Sequence, residues 1–326
     1  MKLHPMWDNY PQVATELEQV NGLIEQSVRM RNKEVEFVLK DMLDSGGKMV
    51  RPAYTLLFST FGADHNPKRA QALAASIEVL HTATLIHDDI IDDASQRRGK
   101  VSLQSRYGKS AAVYAGDYLF TVSFRLSAQY ANTVNQFEVN TRGMERILMG
   151  ELDQMNLYYK QDMTIRQYLT QISGKTAQLF ALACYTGALE GGQSEKESRN
   201  AYYIGSHIGM AFQLLDDILD YTQSAEDFGK PVLEDVRQGI YTAPLIFAMR
   251  KNRSKFEPLL SKQDQMTDED IRTIKQWVLE FEGVKEARQI AQKYTEKALK
   301  RIKKLPDTPE KKIIEKLTLQ LLQRNL

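Results

Sequence analysis

Between positions 68 and 230 the chain contains no proline, and all nine of its prolines lie outside that interval. An interior proline removes a helix hydrogen bond and clashes with the preceding turn, so this stretch can hold long helices. Its apolar residues recur at spacings of three and four, as in Leu73, Ile77, Leu80 and Leu85, or Ile204, Ile208, Phe212 and Leu215. That is the period of a helix with one buried face. Start signals agree. Asn66-Pro67 is a cap with proline at the first helical position. Thr164 with Gln167, and Ser194 with Glu197, read as capping boxes. The pattern predicts helices at 12–45, 48–61, 67–92, 107–131, 134–160, 165–189, 195–223, 239–252, 267–280, 283–304 and 307–324. Polar loops are expected at 93–104 and 224–238. No alternating strand and no fixed-period repeat is visible, so the fold class is all-α.

A chain of 326 residues can bury a sizeable core in one large domain or two ordinary ones. Lys plus Arg total 43 and Asp plus Glu total 42. That balance excludes a protein that wraps a polyanion, so no nucleic-acid partner is expected. The single cysteine, Cys184, allows no disulfide within the chain and fits a reducing cytoplasm. The N-terminus lacks the apolar run of a signal peptide. No uncharged apolar stretch reaches the roughly 18 residues of a membrane span. The region Lys285–Lys316 is rich in lysine. It reads as a solvated helix face, or else as a patch for a partner or for peripheral membrane contact during product release.

Two pentads carry the chemical signal. Asp88-Asp89-Ile90-Ile91-Asp92 and Asp216-Asp217-Ile218-Leu219-Asp220 both follow the pattern DDxxD. Residues i and i+4 share a helix face, so Asp88 stacks with Asp92 and Asp216 with Asp220. Like charges so placed destabilise a helix, and the negative end of the macrodipole adds to the cost. A cation must compensate. Magnesium prefers oxygen ligands and bridges a few carboxylates to substrate phosphates. Two such carboxylate walls would hold a diphosphate between metal ions.

Cationic residues accompany the pentads. Gly46-Gly47-Lys48-Met49-Val50-Arg51-Pro52 is a glycine turn leading to Lys48 and Arg51 at a helix start. Helix N-termini and basic side chains both bind phosphate. His81 lies two turns before Asp88 on the same face, and Arg97-Arg98 follow the first pentad. Lys175 and Lys230 add further positive charge. Any one of these residues alone reads as ordinary surface charge.

Taken together, these motifs resemble the trans-isoprenyl diphosphate synthase family over roughly 40–250. GGKMVRP resembles the family's GGKxxRP. Residues 80–99 resemble its first aspartate-rich region and residues 209–220 its second, with FGKP at 228–231 following. The resemblance implies a single all-α domain over 1–326, a bundle around a central cavity, usually dimeric. It implies Mg2+ (two or three ions) held by Asp88, Asp89 and Asp92 and by Asp216, Asp217 and Asp220. Lys48, Arg51 and His81, helped by Arg98, would hold isopentenyl diphosphate. Arg97, Lys175 and Lys230 would contact the allylic diphosphate. Thr176 and Gln213 match positions that face the reacting carbons.

Ala83 and Thr84, one turn before Asp88, are small where short-chain members tend to carry an aromatic plug. Leu80 and Ile77 are candidate floors further along, although Ala83 also reads as plain helix packing. By resemblance to quinone side-chain synthases, with about one isoprene unit per helix turn, the expected product has about six to eight units (about C30–C40). Leu233 replaces a glycine frequent in the family, and Ile240 replaces a lysine. The chain could act as a homodimer, or as the catalytic subunit of a heterodimer with a small non-catalytic partner. Two other classes remain open. His87-Asp88 with His81 could belong to an HD-type metal phosphohydrolase, which leaves the second pentad unexplained. A terpene cyclase would share one pentad but not Lys48 and Arg51. Ser173-Gly174-Lys175-Thr176 lacks the first glycine of a P-loop, Leu169 standing there.

Overall fold

The computed structural model describes residues 3–43, 47–97, 99–130, 134–222 and 233–322, without side chains for 130 and 134–140. The chain is all-α. Among the described residues the one departure is a short ribbon. Strands β1 (Gln96–Arg97) and β2 (Lys100–Val101) pair antiparallel, with Arg97 opposite Lys100. This replaces part of the loop expected at 93–104. Two residues per strand are too few to leave an alternating pattern in the sequence.

The expected helix 12–45 is two helices, α1 (Pro11–Ser27) and α2 (Lys33–Leu43). The chain leaves the helix at Val28, which is extended, and restarts after Asn32, whose side chain accepts from the amides of Glu34 and Val35. Next come α3 (Val50–Ser59) and α4 (Pro67–Ile91). The Asn66 cap forms as expected, accepting from the Arg69 amide. The predicted helix 107–131 is interrupted at Gly108 (φ +87°), giving α5 (Leu103–Tyr107) and α6 (Lys109–Tyr130). Helix α7 (Val134–Met155) ends earlier than expected. The predicted helix 165–189 becomes α8 (Ile165–Ile172), one wide π turn (Ser173–Ala177) and α9 (Gln178–Glu190). Both capping boxes form, the first opening α8 and the second opening α10 (Glu195–Thr222). In the loop expected at 224–238, Glu234–Arg237 form one helical turn, and the part before Leu233 lies outside the described residues. The predicted 239–252 shortens to Ala243–Lys251, and a further helix, Arg253–Leu260, tolerates Pro258 inside it. Helices Asp268–Glu280, Gly283–Ile302 and Pro309–Leu322 complete the chain.

The chain divides into two compact units. The first comprises Met1–Arg142, Leu182–Tyr202 and Pro306–Ile314. The second comprises Gly143–Ala181, Tyr203–Leu305 and Glu315–Leu326. In the first, α4 packs on α1, α3 and α6. Buried small residues around it, such as Ala72, Ala74, Ala75 and Ala83, permit close approach on several sides. The Ser76 hydroxyl on α4 meets those of Ser123 and Ser127 on α6 at 2.9 and 2.6 Å, so this buried seam leaves its polar groups satisfied. In the second unit, Ala243–Lys251 packs on Gly283–Ile302 and Asp268–Glu280 around Leu214, Ile218, Leu245, Phe256 and Ile274. Each such side chain, fully buried, contributes about 1.5–3 kcal/mol. Among the described residues no helix is long and apolar enough to cross a membrane.

Candidate active site

The first pentad closes α4, with Asp92 as its C-cap. Asp88 and Asp92 are half-buried, whereas Asp89 is 1% exposed. The Asp89 carboxylate receives the Arg97 guanidinium, from Nε at 2.7 Å and from the terminal nitrogen at 2.5 Å. The ribbon makes this possible. It folds the chain back after the helix, with Gly99 at φ +76°, a conformation L side chains rarely adopt. Asp93 takes Lys109 at 2.9 Å, which together with Asp93's exposure leaves that fourth carboxylate outside the pentad's pattern.

His81 and Arg97 line one cavity of the first unit, with Met42, Leu43, Leu85 and Val101 as its apolar wall. Thr84 is half-buried and donates to the His81 carbonyl at 2.8 Å. Its hydroxyl is thus satisfied within its own helix. Ala83, Leu80 and Ile77 are buried at 0%, 3% and 4% exposure. His87 stacks on Phe120 and lies 3.2 Å from Asp117, over Gly116, where a Cβ would sit 2.4 Å from the ring.

Lys48 and Arg51 flank the start of α3, where Met49 takes a left-handed conformation (φ 51°). The Lys48 carbonyl accepts from the indole of buried Trp7 at 2.8 Å. Sequence reasoning missed this anchor, because a lone tryptophan forty residues upstream carries no spacing signal. Arg98, Lys230 and FGKP lie outside the described residues.

In the second unit the second pentad lies near the end of the described part of α10. Asp216 is exposed and Asp220 half-buried, while Asp217 is 4% exposed. Both Asp217 oxygens are occupied. Gln213 donates to Oδ1 at 2.7 Å and the Tyr168 phenol donates to Oδ2. Thr176 in turn donates to the Gln213 amide oxygen at 2.7 Å, fixing which way that amide points. Burial pushes the Asp217 carboxyl well above the usual carboxylate range, and the two donors pull against that shift. Burial likewise holds the Tyr168 phenol protonated, so it can only donate to a carboxylate. In each pentad, then, the first and fifth aspartates share one face while the second turns inward onto protein donors.

The π turn presents Lys175 and Thr176, and such wide turns recur at functional sites. Lys175 pairs with Glu151 of α7 at 2.9 Å. The backbones touch there, since a Cβ on Gly150 would lie 2.8 Å from the Gly174 carbonyl carbon. A Cβ on Gly209 of α10 would lie 2.5 Å from Ala177 Cα. Glu151 and Tyr168 were missed from sequence because neither belongs to a periodic or spaced motif.

Among the described residues, no three acidic, histidine or cysteine side chains gather closely enough to hold an ion unaided. Magnesium keeps waters and takes one or two carboxylates plus substrate phosphates. The available donors, Asp88 with Asp92 and Asp216 with Asp220, are all carboxylate oxygens, the hard ligands this ion prefers. Asp89 and Asp217, already held by protein donors, are not needed for that count.

The polyprenyl synthetase family model matches residues 32–278, an interval holding both pentads, the glycine turn and the π turn. The chain belongs to the polyprenyl synthetase family. Component 2 of the heptaprenyl diphosphate synthase of Bacillus subtilis is 31% identical over 297 residues, covering 91% of this chain and 84% of that protein. A crystal structure of a geranylgeranyl pyrophosphate synthase from Lactobacillus brevis is 42% identical, with a TM-score of 0.94, covering 98% and 99% of the two chains. A polyprenyl synthase from Caulobacter crescentus, solved with calcium and isoprenyl diphosphate, is 28% identical over the whole of both chains, with a TM-score of 0.91. This family member is therefore a prenyltransferase, a trans-polyprenyl diphosphate synthase with the all-α isoprenoid synthase fold. The phosphohydrolase and cyclase readings fall away. His87, on which the former rested, spends its ring on Phe120 and Asp117.

Proposed function

We propose that this synthase adds isopentenyl diphosphate units to a farnesyl-type allylic diphosphate, giving, by likeness to the heptaprenyl diphosphate synthase component, a product of about six to eight isoprene units for a quinone side chain. The observation that carries this reading is the shared design of the pentads, each offering an i,i+4 carboxylate pair with its second aspartate tied inward. Asp88 and Asp92, and Asp216 and Asp220, would hold two or three magnesium ions against the allylic diphosphate; Asp89 and Asp217 would support them from behind. Bound there, magnesium supplies Lewis-acid stabilisation of the departing diphosphate. Arg97, Lys175 and Lys230 would add positive charge to that leaving group. Lys48, Arg51, His81 and Arg98 would hold isopentenyl diphosphate so that its double bond lies close to the allylic carbon. Thr176 and Gln213, linked to each other, would orient the reacting carbons. Release of Lys175 from Glu151 would accompany substrate binding.

Thr84 supports a long product. Its hydroxyl is satisfied on its own helix, so it offers a chain little beyond a methyl group. Leu80 and Ile77 remain the candidate floors. The likeness to the Lactobacillus brevis geranylgeranyl synthase favours a second reading, a four-unit product. Sizing the products made from farnesyl diphosphate and labelled isopentenyl diphosphate separates the two. Products of about six to eight units support a chain that passes Ala83 and Thr84, and a four-unit limit contradicts that passage.

Residues 1–326 would work as one synthase domain, since the family match runs through both compact units. The Bacillus relative is named as one component of its enzyme. By that likeness this chain could be the catalytic subunit of a heterodimer, with a homodimer as the alternative. Cytoplasmic residence, with contact at a membrane surface for product release, completes the reading.

A further inference from the structure

We infer that Tyr168 is a positioning residue for the second aspartate pentad, acting through Asp217. This rests on the assignment of Asp216 and Asp220 to the magnesium-diphosphate site.

The pentad lies in the last two described turns of α10. Asp217 is the residue of the pentad that turns into the core, and it is buried there with a full hydrogen-bond set. One of its two donors, Gln213, lies one turn earlier on the same helix and reaches another element only through Thr176. The other, Tyr168, comes from α8. Its ring is 1% exposed and packs in the same core as Leu214, Ile218 and Tyr221. Among the described residues, the Tyr168 hydroxyl thus makes the direct hydrogen bond that joins Asp217 to a separate helix. It also sets the carboxylate's rotation, because Gln213 takes the other oxygen and is itself fixed by Thr176. With Asp217 locked, the carboxylates one residue before it and three after it are aimed outward together. Groups that orient metal-binding carboxylates from behind are worth about 10–100-fold in metal affinity.

The test compares Tyr168→Phe with Tyr241→Phe. Tyr241 is a buried phenol of the same unit whose hydroxyl has no hydrogen-bond partner, so it reports the cost of losing a buried hydroxyl alone. The probe is magnesium with inorganic diphosphate, and the reading is the rise in melting temperature of the full chain as magnesium is added. Wild type should be stabilised, and Asp216→Ala should abolish that stabilisation; if wild type shows none, the assignment of the pentad itself is wrong. Given that control, Y168F should need about tenfold more magnesium for half-effect, while Y241F matches wild type. Y168F should also show its activity loss largely recovered at saturating magnesium, which a general loss of packing would not give. An unchanged half-effect concentration in Y168F, whatever its basal melting temperature, contradicts the positioning role. Should Y168F not fold, Asp217→Asn serves instead. It leaves the phenol in place but turns an amide nitrogen toward one of the two donors, and an unchanged magnesium requirement there is equally contradictory.

Discussion

At the scale of single residues, the two pentads differ in exposure but share a division of labour. Replacing Asp216 by Ala removes an outward carboxylate without opening the core. It should lower incorporation of labelled isopentenyl diphosphate by about 10²–10³-fold, the range for losing one preorganised charge-stabilising group, with little change in melting temperature. Thr84→Phe restores an aromatic plug one turn before Asp88, and should shorten the products seen on reversed-phase sizing while sparing the first condensation. His207 gives a pH prediction. Burial, then the charges of Arg301 and Lys297, push its pKa from 6.5 down to about 4. The unfolded chain takes up that proton near pH 6.5 and the fold refuses it until about pH 4. The unfolded state therefore binds more protons across this window, and stability rises with pH through it. His207→Gln should flatten that slope in urea melts between about pH 4 and 6.5. The carboxylate pairs were legible from i,i+4 spacing alone. The inward turn of Asp89 and Asp217 was not, because it depends on Arg97 arriving by a ribbon and Tyr168 by another helix.

At the scale of elements, the long helices followed from proline placement and apolar period; α4 closely matches expectation at both ends and α10 at its start. The breaks were missed for local reasons. Asn32 restarts a helix inside an unbroken polar-apolar pattern, and Gly108 interrupts another with a positive φ that composition alone does not reveal. The π turn inserts its extra residue without any breaker, since Ser173-Gly174-Lys175 is compatible with a plain helix. It is nonetheless the element that sets Lys175 against Glu151 and Thr176 against Gln213. The contact of α10 with this turn needs glycine at 209. Gly209→Ala would force its Cβ against Ala177 backbone, an overpacking worth about 1–3 kcal/mol. It should lower the melting temperature and, by shifting the turn, reduce kcat as well. Gly22, where nothing lies within 4 Å of a Cβ, is the matched control and should tolerate alanine in both measurements.

At the scale of the whole molecule, each unit carries an apolar face open to solvent. The first has Val113 and Tyr114 on α6, with Tyr114 74% exposed. The second has Leu148, Met149, Leu152 and Met155 on α7, each about half exposed. Exposed apolar patches of this kind mark association surfaces. The chain should sediment as an oligomer, or gain mass on meeting its partner subunit, and Leu152→Glu should weaken that association. The family was legible from GGKMVRP and the two pentads, whereas product length and partner choice depend on cavity depth and surface shape that no motif records. The most direct test is to incubate the purified chain with farnesyl diphosphate, labelled isopentenyl diphosphate and magnesium, and to size the products. Magnesium-dependent polyprenyl diphosphates, lost in Asp88→Ala, are the predicted result, formed by the chain alone if it is a homodimer or after addition of a lysate fraction if it needs a partner. No incorporation under either condition would contradict the account.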